Sequence, residues 1–154
     1  MVRLKTGDKA PEINALDEAG NAVKLADFKD KKLILFFYPK ANTETCTVEA
    51  CNLRDHYQEL VEKGFAIIGV SADHAKEQKS FIRKYKLPFP LIPDTDKSII
   101  AKYGVWGPKK MMGREYEGII RTTFVISEKG TNEKIFEKVT SATHAEQILR
   151  VYNL

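Results

Sequence analysis

Cysteine is scarce in this chain, with two in 154 residues, and no C-x-x-C pair occurs. So few cysteines exclude a disulfide-stapled scaffold, and in a reducing compartment they are catalytic or incidental rather than structural. Histidine is nearly as sparse, at three residues. Cys46, Cys51 and His56 are spaced five and five, so on a helix they point three different ways and make no zinc site. Long apolar runs are also missing. The longest, Leu33 to Tyr38, is six residues, far short of the roughly 20 that a membrane-spanning helix needs. Met1-Val2-Arg3-Leu4-Lys5 leads into charged and turn residues rather than an apolar signal core, so the expected location is the cytoplasm, away from any membrane. There is no internal repeat, low-complexity segment or linker, and the length suits a single domain over 1–154 with a core of its own. Charge of one sign is not extreme. A net charge of +4 and a pI near 9.0 allow weak attraction to anions. Lys76, Lys79, Arg83, Lys84 and Lys86 share their segment with Phe81, Ile82 and Tyr85, the pattern of a helix with one solvated face, and no nucleic-acid-binding module accompanies them.

The chain is organised around the stretch from Leu33 to Asp55, LILFFYPKANTETCTVEACNLRD. Its apolar run predicts a strand covered on both faces of a mainly parallel sheet, stopped by Pro39. Beyond a polar turn, Val48, Ala50, Cys51, Leu53, Tyr57, Leu60 and Val61 recur at helical spacing, so a helix begins between Thr43 and Cys46. Cys46 then lies near a helix N-terminus.

In chain order, Glu12 to Leu16 and Ala22 to Leu25 flank a glycine-containing turn and predict a hairpin covering one sheet edge. Phe65 to Val70 predicts a second buried strand, followed by cap residues Ser71-Ala72-Asp73 and a helix from His74 to Tyr85. Leu87 to Asp94, with three prolines, predicts a loop containing a short extended piece. A brief helix over Asp96 to Tyr103 follows. The glycines, Pro108 and basic residues of Gly104 to Gly118 predict an irregular surface excursion beside the active site. Arg121 to Ser127 and Lys134 to Val139 predict a second hairpin, and Thr143 to Tyr152 a closing helix. The order of elements predicts a mixed three-layer α/β domain.

Pro39, Thr43 and Cys46 stand in a P-x-x-x-T-x-x-C arrangement that resembles the peroxide-reducing site of peroxiredoxins. Cys51, five residues on, narrows the likeness to the Q-type group, also called bacterioferritin comigratory protein, of the AhpC/TSA superfamily. The likeness runs from Gly7-Asp8-Lys9-Ala10-Pro11 through Tyr103-Gly104-Val105-Trp106-Gly107 to Arg121-Thr122-Thr123-Phe124. It implies a thioredoxin-like three-layer fold with an N-terminal β-hairpin extension, and reduction of hydrogen peroxide or organic hydroperoxides without metal or prosthetic group. It also implies thioredoxin or a similar dithiol protein as reductant, and the expected state is a monomer. One departure is that many Q-type relatives carry Pro-Gly before the reactive cysteine, where this chain has Glu44-Thr45. A carboxylate there either repels a thiolate or, if exposed, sits favourably on the helix dipole.

The resemblance assigns peroxide attack to Cys46 and its activation to Arg121. Lowering a thiol's pKa by about two units raises its thiolate fraction at pH 7 roughly 25-fold, but lost nucleophilicity returns about 6- to 10-fold of that. Most of a peroxidase rate must therefore come from donors aimed at the oxygen that gains charge as the O–O bond breaks. Thr43, Arg121 and backbone amides near Cys46 are the expected donors, with Pro39 shaping the pocket. A sulfenic acid at Cys46 condenses with a nearby thiol, and Cys51 is the only other one. Residues five apart on an ideal helix lie about 8.6 Å apart at Cα, whereas disulfides need Cα atoms within about 7 Å. The helix turn must unwind for that bond to close.

Other readings of single residues stand beside these. Thr43 also reads as a helix cap, Cys51 as an ordinary core residue, and Arg121 as an ordinary surface arginine at a strand start. His74 and His144, near helix starts, read as surface or capping residues, and Trp106 as loop packing that borders the site. For the whole chain, the alternatives are a thioredoxin-like disulfide reductase, which the missing C-x-x-C argues against, and a non-enzymatic interaction domain using the basic surface.

Overall fold

A computed structural model of the chain describes residues 4–154. The first three residues, part of the leader reading above, lie outside the described residues. Strands β1 (Asn14–Leu16) and β2 (Ala22–Lys24) pair antiparallel as the expected hairpin. The Glu18 amide in its turn donates to the Leu91 carbonyl, and the Glu18 carboxylate accepts from the Leu91 amide, so the hairpin covers a sheet edge as read from sequence.

The central sheet has five strands: β3 (Lys32–Phe37), β4 (Phe65–Ser71), β5 (Leu91–Pro93), β8 (Thr122–Ile126) and β9 (Asn132–Phe136). Their order is β5-β4-β3-β8-β9, with β3, β4 and β5 parallel to one another, β8 antiparallel to β3, and β9 antiparallel to β8. The three-proline stretch holds only the three-residue edge strand β5, since proline is tolerated where one side of a strand goes unpaired. Strand β3 is buried on both faces. Ile34 and Phe36 enter one core with Ala50 and Leu53 of α1 (Glu44–Asp55), Leu60 of α2 (Tyr57–Glu62), Phe81 of α3 (Ala75–Tyr85) and Ile148 of α5 (His144–Val151). Leu33, Leu35 and Phe37 enter a second core with Val23 and with Ile99, Ile100 and Tyr103 of α4 (Ser98–Tyr103). This is the three-layer, thioredoxin-like arrangement that the sequence predicts, with the N-terminal hairpin added. Gly69 of β4 permits it locally, because a Cβ there would lie 2.6 Å from Leu91 Cδ2 and 2.7 Å from Phe36 Cζ.

Four local readings change. The helical spacing from Val48 to Val61 is broken at His56, whose backbone (φ −106°, ψ 9°) leaves the helix while its Nδ1 approaches the Asn52 carbonyl at 3.0 Å. Helix α3 is capped at His74, whose amide donates to Glu77, and not by Ser71 or Asp73. The segment Gly104 to Gly118 is not irregular. It forms a hairpin of β6 (Trp106–Met111) and β7 (Arg114–Ile119) closed by Met112-Gly113, both at positive φ (52° and 80°). A two-residue turn of this hand matches the strands' twist, and Pro108 is tolerated because a two-stranded ribbon has only edge strands. His144, finally, is fully buried rather than at the surface. Among the described residues, no helix is long and apolar enough to cross a membrane.

Candidate active site

Strand β3 ends at Phe37 in the centre of the sheet and delivers Pro39 and a tight turn to the start of α1. The turn is pinned to the end of β4. The Ala41 amide donates to Asp73, which also accepts from the Ser71 hydroxyl, both at 2.8 Å. Asn42 takes a left-handed conformation (φ 64°), which asparagine tolerates better than most residues. Thr43 occupies the N-cap position of α1, but its hydroxyl donates to the Lys40 carbonyl at 2.7 Å and makes no cap bond. Thr43 is therefore not a side-chain cap. Glu44 and Thr45, at the departure from the family pattern, are exposed in the first turn, where a carboxylate complements the helix dipole.

Cys46 is in the first turn of α1 and almost fully buried. Arg121, just before β8 on the neighbouring strand, reaches it across the sheet, and Nη2 donates to Sγ at 3.2 Å. Nη1 of the same guanidinium donates to Glu49, one turn further along α1 and fully buried. Burial alone would lower the Arg121 pKa, but Glu49 and Cys46 outweigh it and hold the guanidinium charged. Burial pushes the Glu49 carboxyl up to about 7, with Arg121 pulling the other way. The second Glu49 oxygen, Oε2, has no hydrogen-bond partner and lies 3.8 Å from His144 Nε2.

His144 is neutral at pH 7, since burial lowers its pKa to about 4 against the opposing bond to Gln147. Gln147 donates through its amide nitrogen to the Lys138 carbonyl, so its Oε1, 2.8 Å from His144 Nδ1, is an acceptor. Nδ1 therefore carries the proton and Nε2 accepts from the Thr123 hydroxyl at 2.8 Å. His144 thus seals the inner side of the Glu49–Arg121 pair.

Pro39, Thr43, Cys46 and Arg121 line one cavity of about 520 Å³, together with Trp106, Lys109, Tyr116 and Ile119 from the β6–β7 hairpin. Trp106 is more than loop packing. It faces this cavity while Lys97 Nζ lies 5.2 Å from its ring centroid. A second cavity, of about 330 Å³, opens near Lys9, Phe28 and Ser127 and holds neither cysteine nor histidine.

Four of the five sequence-predicted site residues are thus together, and Cys51 is not among the cavity's lining. It sits half-buried in the same unbroken helix, and both cysteines are free thiols. Burial pushes the Cys51 thiol up, opposed by Arg54 and aided by Asp55. Sequence reasoning missed Glu49, His144 and Lys109. Glu49 had a signal, because Cys46, Glu49, Ala50 and Leu53 fall on one buried helical stripe where a carboxylate needs a partner. His144 and Lys109 had none, since their neighbours come from other elements.

Comparison with known proteins bears on the family and the fold. The AhpC/TSA family model matches residues 6–134. The chain is 42% identical over 149 residues to a putative peroxiredoxin bcp of Haemophilus influenzae, covering 97% of this chain and 96% of the relative. It is 39% identical over 149 residues to peroxiredoxin Bcp of Escherichia coli K12, with the same coverage of 97% and 96%. Among solved structures, a cysteine-to-serine variant of Xylella fastidiosa PrxQ superposes with a TM-score of 0.92 at 25% identity, covering 99% of this chain and 98% of that one. A similar variant of Xanthomonas campestris peroxiredoxin Q gives 0.84 at 30% identity, covering 92% and 90%. The match to the family model over most of the chain, and the relatives of about 40% identity over nearly its whole length, show that the chain belongs to the AhpC/TSA family, within its peroxiredoxin Q or bacterioferritin comigratory protein group.

Proposed function

We propose that the chain is a thiol peroxidase in which Cys46 attacks hydrogen peroxide or an organic hydroperoxide and Cys51 resolves the product. The observation that carries this reading is the 3.2 Å contact from Arg121 Nη2 to Cys46 Sγ at a cavity of about 520 Å³. A fixed cation touches the one cysteine that a small molecule can reach through that cavity. The volume far exceeds the roughly 30 Å³ share of a water molecule, leaving room for an organic group against Trp106, Tyr116 and Ile119. One structure of the Xanthomonas campestris relative was described for its alkyl peroxide reduction activity, which supports the same substrate class here.

The Cys46 thiolate attacks the distal oxygen and becomes a sulfenic acid as the O–O bond breaks. Arg121 stabilises the charge moving from sulfur to oxygen, and removing one such preorganised donor costs about 10²- to 10³-fold in comparable sites. Glu49 holds the guanidinium in place, and Pro39 shields the sulfur from water. Thr43 has its proton on the Lys40 carbonyl, so in this state its oxygen accepts rather than donates. Cys51 then condenses with the sulfenic acid and releases water. Both cysteines lie in one continuous helix, so about 8.6 Å separates their Cα atoms and α1 unwinds before the bond closes. Thioredoxin or a similar dithiol protein reduces the disulfide. The chain works as a single domain over 1–154, as a monomer, in the cytoplasm, with no metal or prosthetic group in the cycle.

The test is peroxide consumption coupled to a thioredoxin system. The parent is expected to turn over, Cys46→Ser to fall to background, and Cys51→Ser to require a small thiol. Turnover surviving in Cys46→Ser would contradict the assignment.

A further inference from the structure

One step of this reaction lacks a proton donor. When the O–O bond breaks, the electron pair leaves on the proximal oxygen as alkoxide or hydroxide, and hydroxide is the conjugate base of an acid with a pKa of about 15.7. Arg121 is held charged by Glu49 and Cys46, so it stabilises that oxygen without giving it a proton. The Thr43 proton is committed to the Lys40 carbonyl.

Lys109 is placed differently. It lines the same cavity from β6, half-buried, whereas Lys40, the other lysine there, is exposed. Its stem crosses Gly118, where an added Cβ would lie 3.4 Å from Lys109 Cδ and 3.5 Å from Tyr116 Cε2. Its Nζ donates to the Ile119 carbonyl at 2.9 Å, two residues before Arg121. An ammonium has three hydrogens, so two remain after that bond. Among the described residues no carboxylate pairs with it. Burial, reinforced by the Arg121 charge and opposed by Cys46, lowers its pKa, which makes it a better acid than an ordinary lysine.

We propose that Lys109 protonates the leaving oxygen of the peroxide as Cys46 attacks. The inference rests on the peroxidase reading above. Sγ forms a bond to the distal oxygen, which keeps its hydrogen, and the O–O bond breaks with its electron pair on the proximal oxygen. Nζ passes one proton to that oxygen, giving water or an alcohol, and the neutral amine recovers a proton from solvent. Sulfur loses two electrons and the peroxide gains them.

Leaving-group dependence tests this. Second-order rates of Cys46 oxidation are measured for the parent, Lys109→Met and Lys109→Arg with tert-butyl hydroperoxide, hydrogen peroxide and peracetic acid. Peracetic acid expels a stable carboxylate and needs no proton donor. Lys109→Met is expected to lose about 10²-fold with the first two, the lower end of the range for general acid catalysis, and less than about 3-fold with peracetic acid. Lys109→Arg keeps the charge but yields no proton at neutral pH, so it is expected to follow Lys109→Met. An equal loss with all three oxidants, no loss, or full rescue by arginine would overturn the proposal. Both variants are checked for the parent's thermal unfolding midpoint, and if only one matches, that one decides. A parent that fails to react with any of the three would instead contradict the peroxidase reading.

Discussion

Glu49 occupies a position on α1 that helical spacing assigns to an apolar residue, and its burial shapes the site. The carboxylate steers Arg121 onto Cys46, yet one of its oxygens finds no donor because the imidazole beside it offers a lone pair. Burial wins over the guanidinium and places the Glu49 pKa near 7, well above the ordinary value of about 4.3. The sign follows from proton binding. Between pH 4.5 and 7 the native state holds a proton that the unfolded chain has released, so stability falls as pH rises through that window. The loss is on the order of 2–3 kcal/mol. Urea unfolding of the reduced parent and of Glu49→Gln at pH 5 and pH 7.5 checks it, with the parent losing stability relative to the variant. A parent that gains on the variant over that interval would contradict the assignment. The spacing of Pro39, Thr43, Cys46 and Cys51 was legible in sequence because it is local. That Arg121 touches Cys46 was legible only through resemblance, since 75 residues separate them and the β3–β8 pairing joins them.

Helix α1 is a folded element that the proposed chemistry requires to open. Its C-terminal half is tied down: Asn52 accepts from the Ala145 amide at 2.7 Å and donates to Glu146 at 3.0 Å, while Arg54 donates to the Tyr85 carbonyl at 2.7 Å. Side-chain ties of this kind are fewer before Cys51, where Arg121 makes the main connection. Unwinding should therefore spread from the first turn toward Cys51 and stop near Leu53. Hydrogen exchange is expected to show amides from Thr47 to Cys51 losing at least about 10-fold protection in the disulfide form, with Leu53 to Asp55 unchanged. Equal protection across Cys46 to Asn52 in both forms would contradict the unwinding step. Other elements were legible to different degrees. The β6–β7 hairpin was hidden because Pro108 and its glycines are also loop residues, and the only local cue was the Met112-Gly113 turn. The break at His56 was invisible because Tyr57 and Leu60 keep the helical spacing across it.

At the scale of the whole molecule, the sheet brings the chemistry together. A central strand buried on both faces delivers the Pro39 turn, its parallel neighbour pins that turn through Asp73, and its antiparallel neighbour brings Arg121. The two-faced burial of β3 and the alternation of strands with helices were readable from runs of Leu, Ile and Phe. The strand order was not, because pairing partners are chosen by tertiary packing that no local spacing records. With this frame, peroxide should act on one cysteine and leave its mark on two. The most direct measurement is intact mass of the reduced protein after one equivalent of hydrogen peroxide, beside Cys51→Ser. The parent is predicted to lose two hydrogens and the variant to gain one oxygen, both rapidly and completely. Unchanged masses in both proteins would contradict the peroxidase, and an added oxygen in the parent with no loss of hydrogens would contradict resolution by Cys51.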